Sequence, residues 1–445
     1  MKRYDKYKPS KIPWIGNIPC HWYVKKLRFI SDVQFSNVDK KIVEGEQEIK
    51  LCNYLDVYNN DFIGKDIDFM ISTASLAEIE KFRLKAGDVL ATKDSEDPND
   101  IGVPALVKDD FEDVICGYHL AQIRPSKTAL LGMYLFRLLQ SDIIRQHFAT
   151  QANGITRFGL SVSSFKDLQV LLPSLPEQTV IARYLDKKTA QIDDLITKKQ
   201  RLIELLKEER AAIINQVVTK GINPHVKMKD SRIEWLGKIP EHWEVKRLKY
   251  IADINSESLP ENTNSDYELE YIDIGNVTLG SIINKPERML FKNAPSRARR
   301  ISRKGDTIVS TVRTYLKAIT YIDIDKSNLV VSTGFTVVRP RDTLEKKFIS
   351  YLLTSEVLVE TVCSLSVGVS YPAVNASDIG NLLVWYPKDK NEQSIIVKYI
   401  EQEAFRINQT ITKIQQEIKL LQEYRTALIS EVVTGKIDVR DEVVA

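Results

Sequence analysis

Five histidines and four cysteines are the residues of this chain best suited to metal or nucleophilic chemistry, so their spacing comes first. The histidines at 21, 119, 147, 225 and 242 are too dispersed for a metal set, and no H-E-x-x-H occurs. Cys20, Cys52, Cys116 and Cys363 include no C-x-x-C pair, which points to a reducing cytoplasm and offers no disulfide framework or zinc cluster. "VVTGKI" (432–437) has the Gly-Lys of a phosphate loop but lacks its first glycine, carries Ile after Lys436 and follows a helical stretch. No N-P-P-Y or D-P-P-Y tetrapeptide, the grip of amino-methyltransferases on an exocyclic amine, is present. His21 and His242 each precede a tryptophan in an apolar-aromatic knot without a repeated nucleophile beside them, so a structural role is expected. Asp56 and Asp273 lie in strand-like runs and are expected to point outward or cap turns. By these tests the chain reads as a binding scaffold and not as an enzyme on its own.

Composition supports that reading. With 43% apolar and 28% charged residues the chain has the balance of a soluble globular protein, and 445 residues exceed one ordinary core. No apolar run approaches a membrane span, and "MKRYDKYKPSK" lacks the core of a signal peptide. A net charge of +3 is weak for this size, so any contact with nucleic acid must come from local patches. The strongest is "KNAPSRARRISRK" (292–304), either a solvated loop or a phosphate-contacting one.

The elements that must position such contacts are written twice. "WIGNIPCHWYVKKLRFISDV" (14–33) returns as "WLGKIPEHWEVKRLKYIADI" (235–254). "YLDVYN" (54–59) is answered by "YIDIGN" (271–276), "KAGDVL" (85–90) by "RKGDTI" (303–308), and "QIRP" ending at Pro125 by "VVRP" ending at Pro340. "EQTVIARYL" (177–185) is answered by "EQSIIVKYI" (392–400). The order never changes while the offset drifts from 221 to 215, so a unit of about 220 residues is duplicated in tandem. Short runs such as "IKLCNYLDV", "DVICGYHLAQIRP" and "DLQVLLP", mixed with helical stretches, predict an α+β domain in each unit.

Each unit closes on a heptad-periodic tail. In the second, Ile400, Ile407, Ile414, Leu421 and Leu428 alternate with Ala404, Ile411, Ile418, Arg425 and Val432. In the first, Leu185, Ile192, Lys199, Leu206 and Ile213 alternate with Thr189, Ile196, Ile203, Arg210 and Val217. Five heptads exceed what one domain face needs, which predicts two long helices pairing with each other. Pseudo-two-fold symmetry favours an antiparallel pair. Pro176 and Pro387 just before, and Gly221 and Gly435 just after, are the expected boundary signals. Lys199 breaks the first seam and is expected to snorkel or to meet an acid across the coil.

"IPEHWEVKRLKYIADI", the "PEQTVIARYL" and "NEQSIIVKYI" helix starts, and "EYRTALISEVVTGKIDVR" resemble the DNA-specificity subunit of Type I restriction–modification enzymes over essentially the whole chain. The resemblance implies target-recognition domains at 1–175 and 223–386, joined by helices at 176–222 and 387–445 that form an antiparallel coiled coil. Each domain would read one half of a bipartite duplex DNA target, and the coil would set the gap and dock modification subunits, two in number. S-adenosylmethionine would then sit on the modification subunits, and ATP with magnesium on separate restriction subunits. No cofactor or metal is expected on this chain. Two alternatives stay open: the specificity subunit of a related system with fused cleavage and methylation, and a coiled-coil adaptor that binds proteins only.

Base reading calls for polar side chains on loops that differ between copies while the frame repeats. After the repeated Gly-Asp strand these are Thr92, Lys93, Asp94 and Ser95 in the first unit. In the second they are Ser310, Thr311, Arg313, Thr314, Tyr315 and Lys317. After the helical stretch come Asn153, Thr156 and Arg157 in "NGITRFG", and Ser370 and Tyr371 in "VGVSYPA". Arg297, Arg299 and Arg300 are the expected phosphate contacts.

Overall fold

The structure is a computed structural model that describes residues 2–442. The ends of the expected first and last segments, residue 1 and residues 443–445, lie outside the described residues. The chain divides into two units, Met1–Lys199 with Gln415–Ala445, and Gln200–Ile414.

In the first unit a hairpin (Tyr7–Pro9 with Asn17–Pro19) leads into Tyr23–Lys26, which pairs with the last strand, Gln169–Leu172. A five-stranded sheet runs in the order Ser31–Phe35, Leu120–Pro125, Val89–Thr92, Pro104–Val107, Phe62–Ile63. A three-stranded sheet has the order Val114–Cys116, Gln47–Cys52, Met70–Ala74. Val89–Thr92 is buried at every position, as expected of a central strand covered on both faces. Helices Gly132–Leu139 and Asp142–Gln151 pack on this core.

The second unit follows the same plan. Met228–Asp230 pairs with Lys238–Pro240, and Trp243–Arg247 with Leu383–Pro387. One four-stranded sheet runs Ala252–Ile254, Phe335–Pro340, Thr307–Ser310, Ile319–Tyr321; the other runs Glu287–Leu290, Glu268–Ile272, Leu329–Ser332, Ala298–Ile301. Helices Lys346–Leu353 and Glu356–Ser364 complete it.

Several repeated motifs bind one another. The aspartate of each Gly-Asp motif meets the arginine of each Arg-Pro motif: Arg124 donates to buried Asp88 at 2.7 and 2.8 Å, and Arg339 to Asp306 at 2.8 and 2.9 Å. The glutamate at each helix start meets the His-Trp pair. Glu177 accepts from Tyr4 Oη (2.8 Å) and Trp22 Nε1 (3.1 Å), with His21 Nε2 at 2.9 Å. Glu392 accepts from Trp243 Nε1 (3.0 Å), with His242 Nε2 at 2.8 Å. The structural role expected for both histidines is thus explained by a carboxylate partner.

One alignment of the copies is corrected. Tyr271 lies in the strand Glu268–Ile272, whereas Tyr54 begins the helix Tyr54–Asn59. The parallel pairings Cys52 with Cys116 and Ile272 with Val331 place Asn53, not Asp56, opposite Asp273. Both acids are caps, as one of the two expectations had it: Asp56 accepts from Asn53 N at 2.7 Å, and Asp273 from Ile274 N at 2.8 Å. Burial raises the Asp56 carboxyl above its usual range, partly offset by that backbone bond.

The long helices are Leu175–Lys220 and Lys390–Val433. Pro176 falls inside the first turn, where its missing N–H is not required. Gly221 follows the first helix with φ +73°, a left-handed conformation that glycine adopts without strain, and its N–H bonds Val217 O. In the first unit Leu185, Ile192, Ile196 and Leu428 are buried in one core, with Ile418 and Leu421 packed against it. In the second Ile203, Ile400, Ile407 and Ile414 are buried, while Leu206, Ile213 and Ile411 are half-buried. Lys199 meets Glu417 at 2.6 Å within the first unit. The arginine that recurs in both seams has different partners: Arg425 meets Asp61 and Asp193 at 3.0 Å, and Arg210 meets Asn408 at 2.7 Å. No helix among the described residues is long and apolar enough to cross a membrane.

Two stability predictions follow from these contacts. Glu177 is 5% exposed and serves three partners, whereas Glu392 is 30% exposed and serves two. Glu177→Ala should therefore cost ~3 kcal/mol in chemical denaturation and Glu392→Ala ~1–2 kcal/mol; equal costs would contradict the burial argument. Lys199→Ile should raise stability by about 1 kcal/mol, because the seam gains a branched apolar side chain and Glu417 returns to water. A fall in the denaturation midpoint would show that the ion pair outweighs the seam.

Candidate nucleic-acid interface

The two loops singled out in each unit are stitched together by backbone bonds that do not depend on side-chain identity. In the first unit Ser95 pairs with Phe158 and Asp94 with Gly159, and Leu160 N donates to Lys93 O at 2.7 Å. Lys93 N in turn donates to His119 O at 3.1 Å. In the second unit Val312 bridges Ala373, Val374 N donates to Thr311 O at 2.9 Å, and Thr311 N donates to Gly334 O at 2.8 Å. The frames superimpose residue for residue in sequence: Lys93 answers to Thr311, Asp94 to Val312, Ser95 to Arg313 and His119 to Gly334. The outer loops also correspond, since Asn153 bridges Gly159 as Val367 bridges Ala373. Both turn on a glycine with positive φ, Gly154 at +147° and Gly368 at +118°. A Cβ on Gly154 would sit 2.0 Å from Arg157 O, so that turn admits no side chain.

On this common frame the chemistry differs. In the first unit Asp94 accepts from Arg157 Nη2 at 2.6 Å through one oxygen and faces His119 Nδ1 at 2.7 Å through the other. Arg157 Nη2 also lies 3.2 Å from the same ring nitrogen. An ionised carboxylate only accepts, so Nδ1 carries the hydrogen given to Asp94, and the arginine contact with it is no hydrogen bond. Lys93 lies half-buried over the rings of Tyr118 (4.2 Å) and Phe35 (5.0 Å), and burial lowers its pKa. Ser95 Oγ accepts from Asp97 N at 3.2 Å. Tyr54 and Tyr58 stack at 5.5 Å nearby, and Tyr58 donates to Asp100 at 2.5 Å.

In the second unit Arg313 lies 5.0 Å from the ring centre of Tyr371. Arg313 and Lys317 both take left-handed backbone conformations around the turn Thr314–Leu316, which leaves Tyr315 exposed. Thr314 shares a 2.6 Å hydrogen bond with Ser366, and Lys317 is held by Glu360 at 2.6 Å, which raises its pKa.

Some expected contacts are not available at the surface. Thr92 is fully buried and its hydroxyl accepts from Val103 N at 3.0 Å, so it supports the frame and cannot reach a base. Ser310, Thr311 and Thr314 are buried in the second unit; Ser310 donates to Val312 O and Thr311 to Gly334 O. Asn153, Thr156, Arg157, Ser370 and Tyr371 are exposed. The basic stretch at 292–304 is not wholly a loop, because Ala298–Ile301 is a sheet strand. Arg297 is committed to Asp273 (2.5 Å) and Tyr271, and those bonds raise its pKa. Arg299 stacks on Phe291 at 4.6 Å, and burial lowers the pKa of Arg300, whose buried Nε is without a protein partner.

The sequence reading missed His119, Tyr118, Tyr54 and Tyr58. It also missed two aliphatic residues at corresponding loop tips, Ile155 at 93% exposure and Val369 at 101%. The available signal was divergence inside a repeated frame, His119 against Gly334, just before the "LAQIRP" strand.

Two α+β units in tandem, each presenting variable side chains on an invariant two-loop frame and each closing on a long helix, define a duplicated recognition-domain protein. A family model for the Type I restriction modification DNA specificity domain matches residues 22–205 and again 240–420, and the chain belongs to that family. It is similar to the MjaX specificity subunit assigned to the type I restriction enzymes of Methanocaldococcus jannaschii, 24% identical over 96% of both chains. The MjaVIII specificity subunit of that organism is 24% identical over 69% of this chain and 71% of its own. Its fold is like that of a chain solved in work on complex assembly and conformational transition of the type I R-M system. That match has TM-score 0.67 and 18% identity, covering 94% of this chain and 99% of the other. The HsdS subunit from Thermoanaerobacter tengcongensis matches at TM-score 0.56 and 18% identity, over 94% and 98%.

A control mutation separates frame from contact. Thr92→Val should cost ~1 kcal/mol by leaving Val103 N–H without its acceptor, and should leave DNA sequence preference unchanged in a binding selection. An altered preference would return Thr92 to the interface.

Proposed function

We propose that this chain is the non-catalytic DNA-reading subunit of a Type I restriction–modification complex, each unit reading one half of a bipartite duplex target. The observation that carries this reading is the shared frame with unlike side chains: Asp94, His119 and Arg157 in one unit, Val312, Gly334 and Tyr371 with Arg313 in the other. One backbone solution repeated with different hydrogen-bonding groups is what two unlike half-sites require. The recognition domains are then 1–175 and 223–386, and the segments 176–222 and 387–445 are the spacer. Pairing of the two long helices as an antiparallel coiled coil is supported by the buried seam within each unit and by the contacts Lys199–Glu417 and Arg210–Asn408. In this reading the coil sets the distance between half-sites and offers the docking surface for two modification subunits. Those subunits supply S-adenosylmethionine for base methylation, and restriction subunits supply ATP- and magnesium-dependent steps, so the work of this chain is positional.

Arg313→Ala tests the reading in a gel shift of the chain with its modification subunits. Affinity for the correct target should fall about tenfold with little change on random DNA. Equal losses on both would make Arg313 a phosphate contact. A complex without any sequence preference in the wild type would favour the protein-only adaptor.

A further inference from the structure

We propose that the first unit reads a guanine through Arg157, with Asp94 and His119 as positioning residues; this rests on the DNA-reading function above. Arg157 sits on an exposed loop with 58% of its side chain open to solvent, yet one Nη is pinned at 2.6 Å to Asp94, which is itself only 15% exposed. The second oxygen of Asp94 is occupied by His119 Nδ1 at 2.7 Å. The carboxylate is therefore gripped from both sides and cannot rotate without losing a bond. A guanidinium carries five donors in a rigid plane, so a bond through one nitrogen restrains its placement and leaves the others to a ligand.

The charge of the cluster discriminates between the two DNA groups that an arginine can meet. Asp94 offsets the charge of Arg157 in part, which weakens the attraction a phosphate contact depends on. Guanine needs no net charge. Its O6 and N7 accept two parallel N–H donors, which a held guanidinium plane provides. The second unit lacks this arrangement at the same frame positions, with Val312 for Asp94, Gly334 for His119 and Tyr371 for Arg157. At Gly334 an added Cβ would lie 2.8 Å from Ile274 Cδ1 and 3.1 Å from Val312 Cγ2, so a side chain there would require those two neighbours to shift. The guanine requirement made by this cluster thus belongs to one half-site only.

The test uses the full chain assembled with its modification subunits and a pool of duplexes randomised in both halves. The wild type should enrich a target with a guanine at one position of the first unit's half. Arg157→Gln should reduce the preference at that position at least about tenfold and leave the other half unchanged. The intact second half also reports that the variant is folded. Asp94→Asn should weaken the same guanine preference without weakening binding to random DNA. On the wild-type protein, 7-deazaguanine at that position should lower affinity; this arm needs no variant. A uniform loss of affinity with Arg157→Gln, or indifference of the wild type to 7-deazaguanine, overturns the guanine assignment while leaving the DNA-reading function standing. Failure of the wild type to enrich any sequence overturns both.

Discussion

A carboxylate at the first turn of each long helix, buried in the first unit and half-buried in the second, organises what precedes it. Glu177 is desolvated by the segments that flank the first hairpin and carry Tyr4, His21 and Trp22, and the partners these residues provide offset the cost of burying its charge. The next residue extends the same logic to the rest of the unit. Gln178 accepts from Leu131 N and donates to Ala129 O and Pro173 O, so the hairpin, the helical pair and the last strand are all referred to one turn of helix. Gln393 repeats this with Glu345 N and Pro387 O. A Glu-Gln pair is thus the point at which each recognition unit is fixed to its helix. His21 and His242, expected to be structural, both face it.

A buried aspartate paired with an arginine sets the strand that leads into the candidate loops of each unit. Asp88 and Asp306 each accept both guanidinium bonds of an arginine on the neighbouring strand, and each also accepts from the backbone three residues earlier, at Lys85 N and Arg303 N. The turn before the strand and the strand beside it are thereby locked together. Beyond this lock the same backbone bonds recur in both units, Lys93 to His119 and Leu160, Thr311 to Gly334 and Val374. Backbone bonds tolerate any side chain. That is a physical reason why the frame repeats while the chemistry on it diverges.

Much of this architecture was legible without coordinates. The tandem repeat, the α+β character and the heptad seam follow from residue order and period. The seam residues are buried or half-buried throughout, and Lys199 meets an acid, one of its two expected outcomes. The failures share a cause. "YLDVYN" and "YIDIGN" match in letters, but a capping helix in one unit and a strand in the other separate them by three residues of register. Thr92 and Ser310 were taken for loop residues when the strand runs on to include them and hides their hydroxyls. The run "SRARRI" reads as part of a solvated or phosphate-contacting loop, yet its last four residues are a strand in which Arg299 stacks on Phe291, and Arg297 just before it is ion-paired with Asp273. Charge density says nothing about whether a carboxylate such as Asp273 waits nearby.

The amino-acid order by itself determined that there are two copies, what each copy is made of, and which faces of the long helices must be covered, because periodicity and repetition are properties of the chain. Only the tertiary structure decided that Asp94, His119 and Arg157 form one cluster, that Arg313 lies on Tyr371, and that Arg297 spends its charge on Asp273. Asp94 and Arg157 stand sixty-three residues apart, and they meet because sheet pairing and two main-chain stitches close the intervening chain into a loop. Closure of that kind depends on the summed packing of the whole unit, which no local pattern of residues encodes.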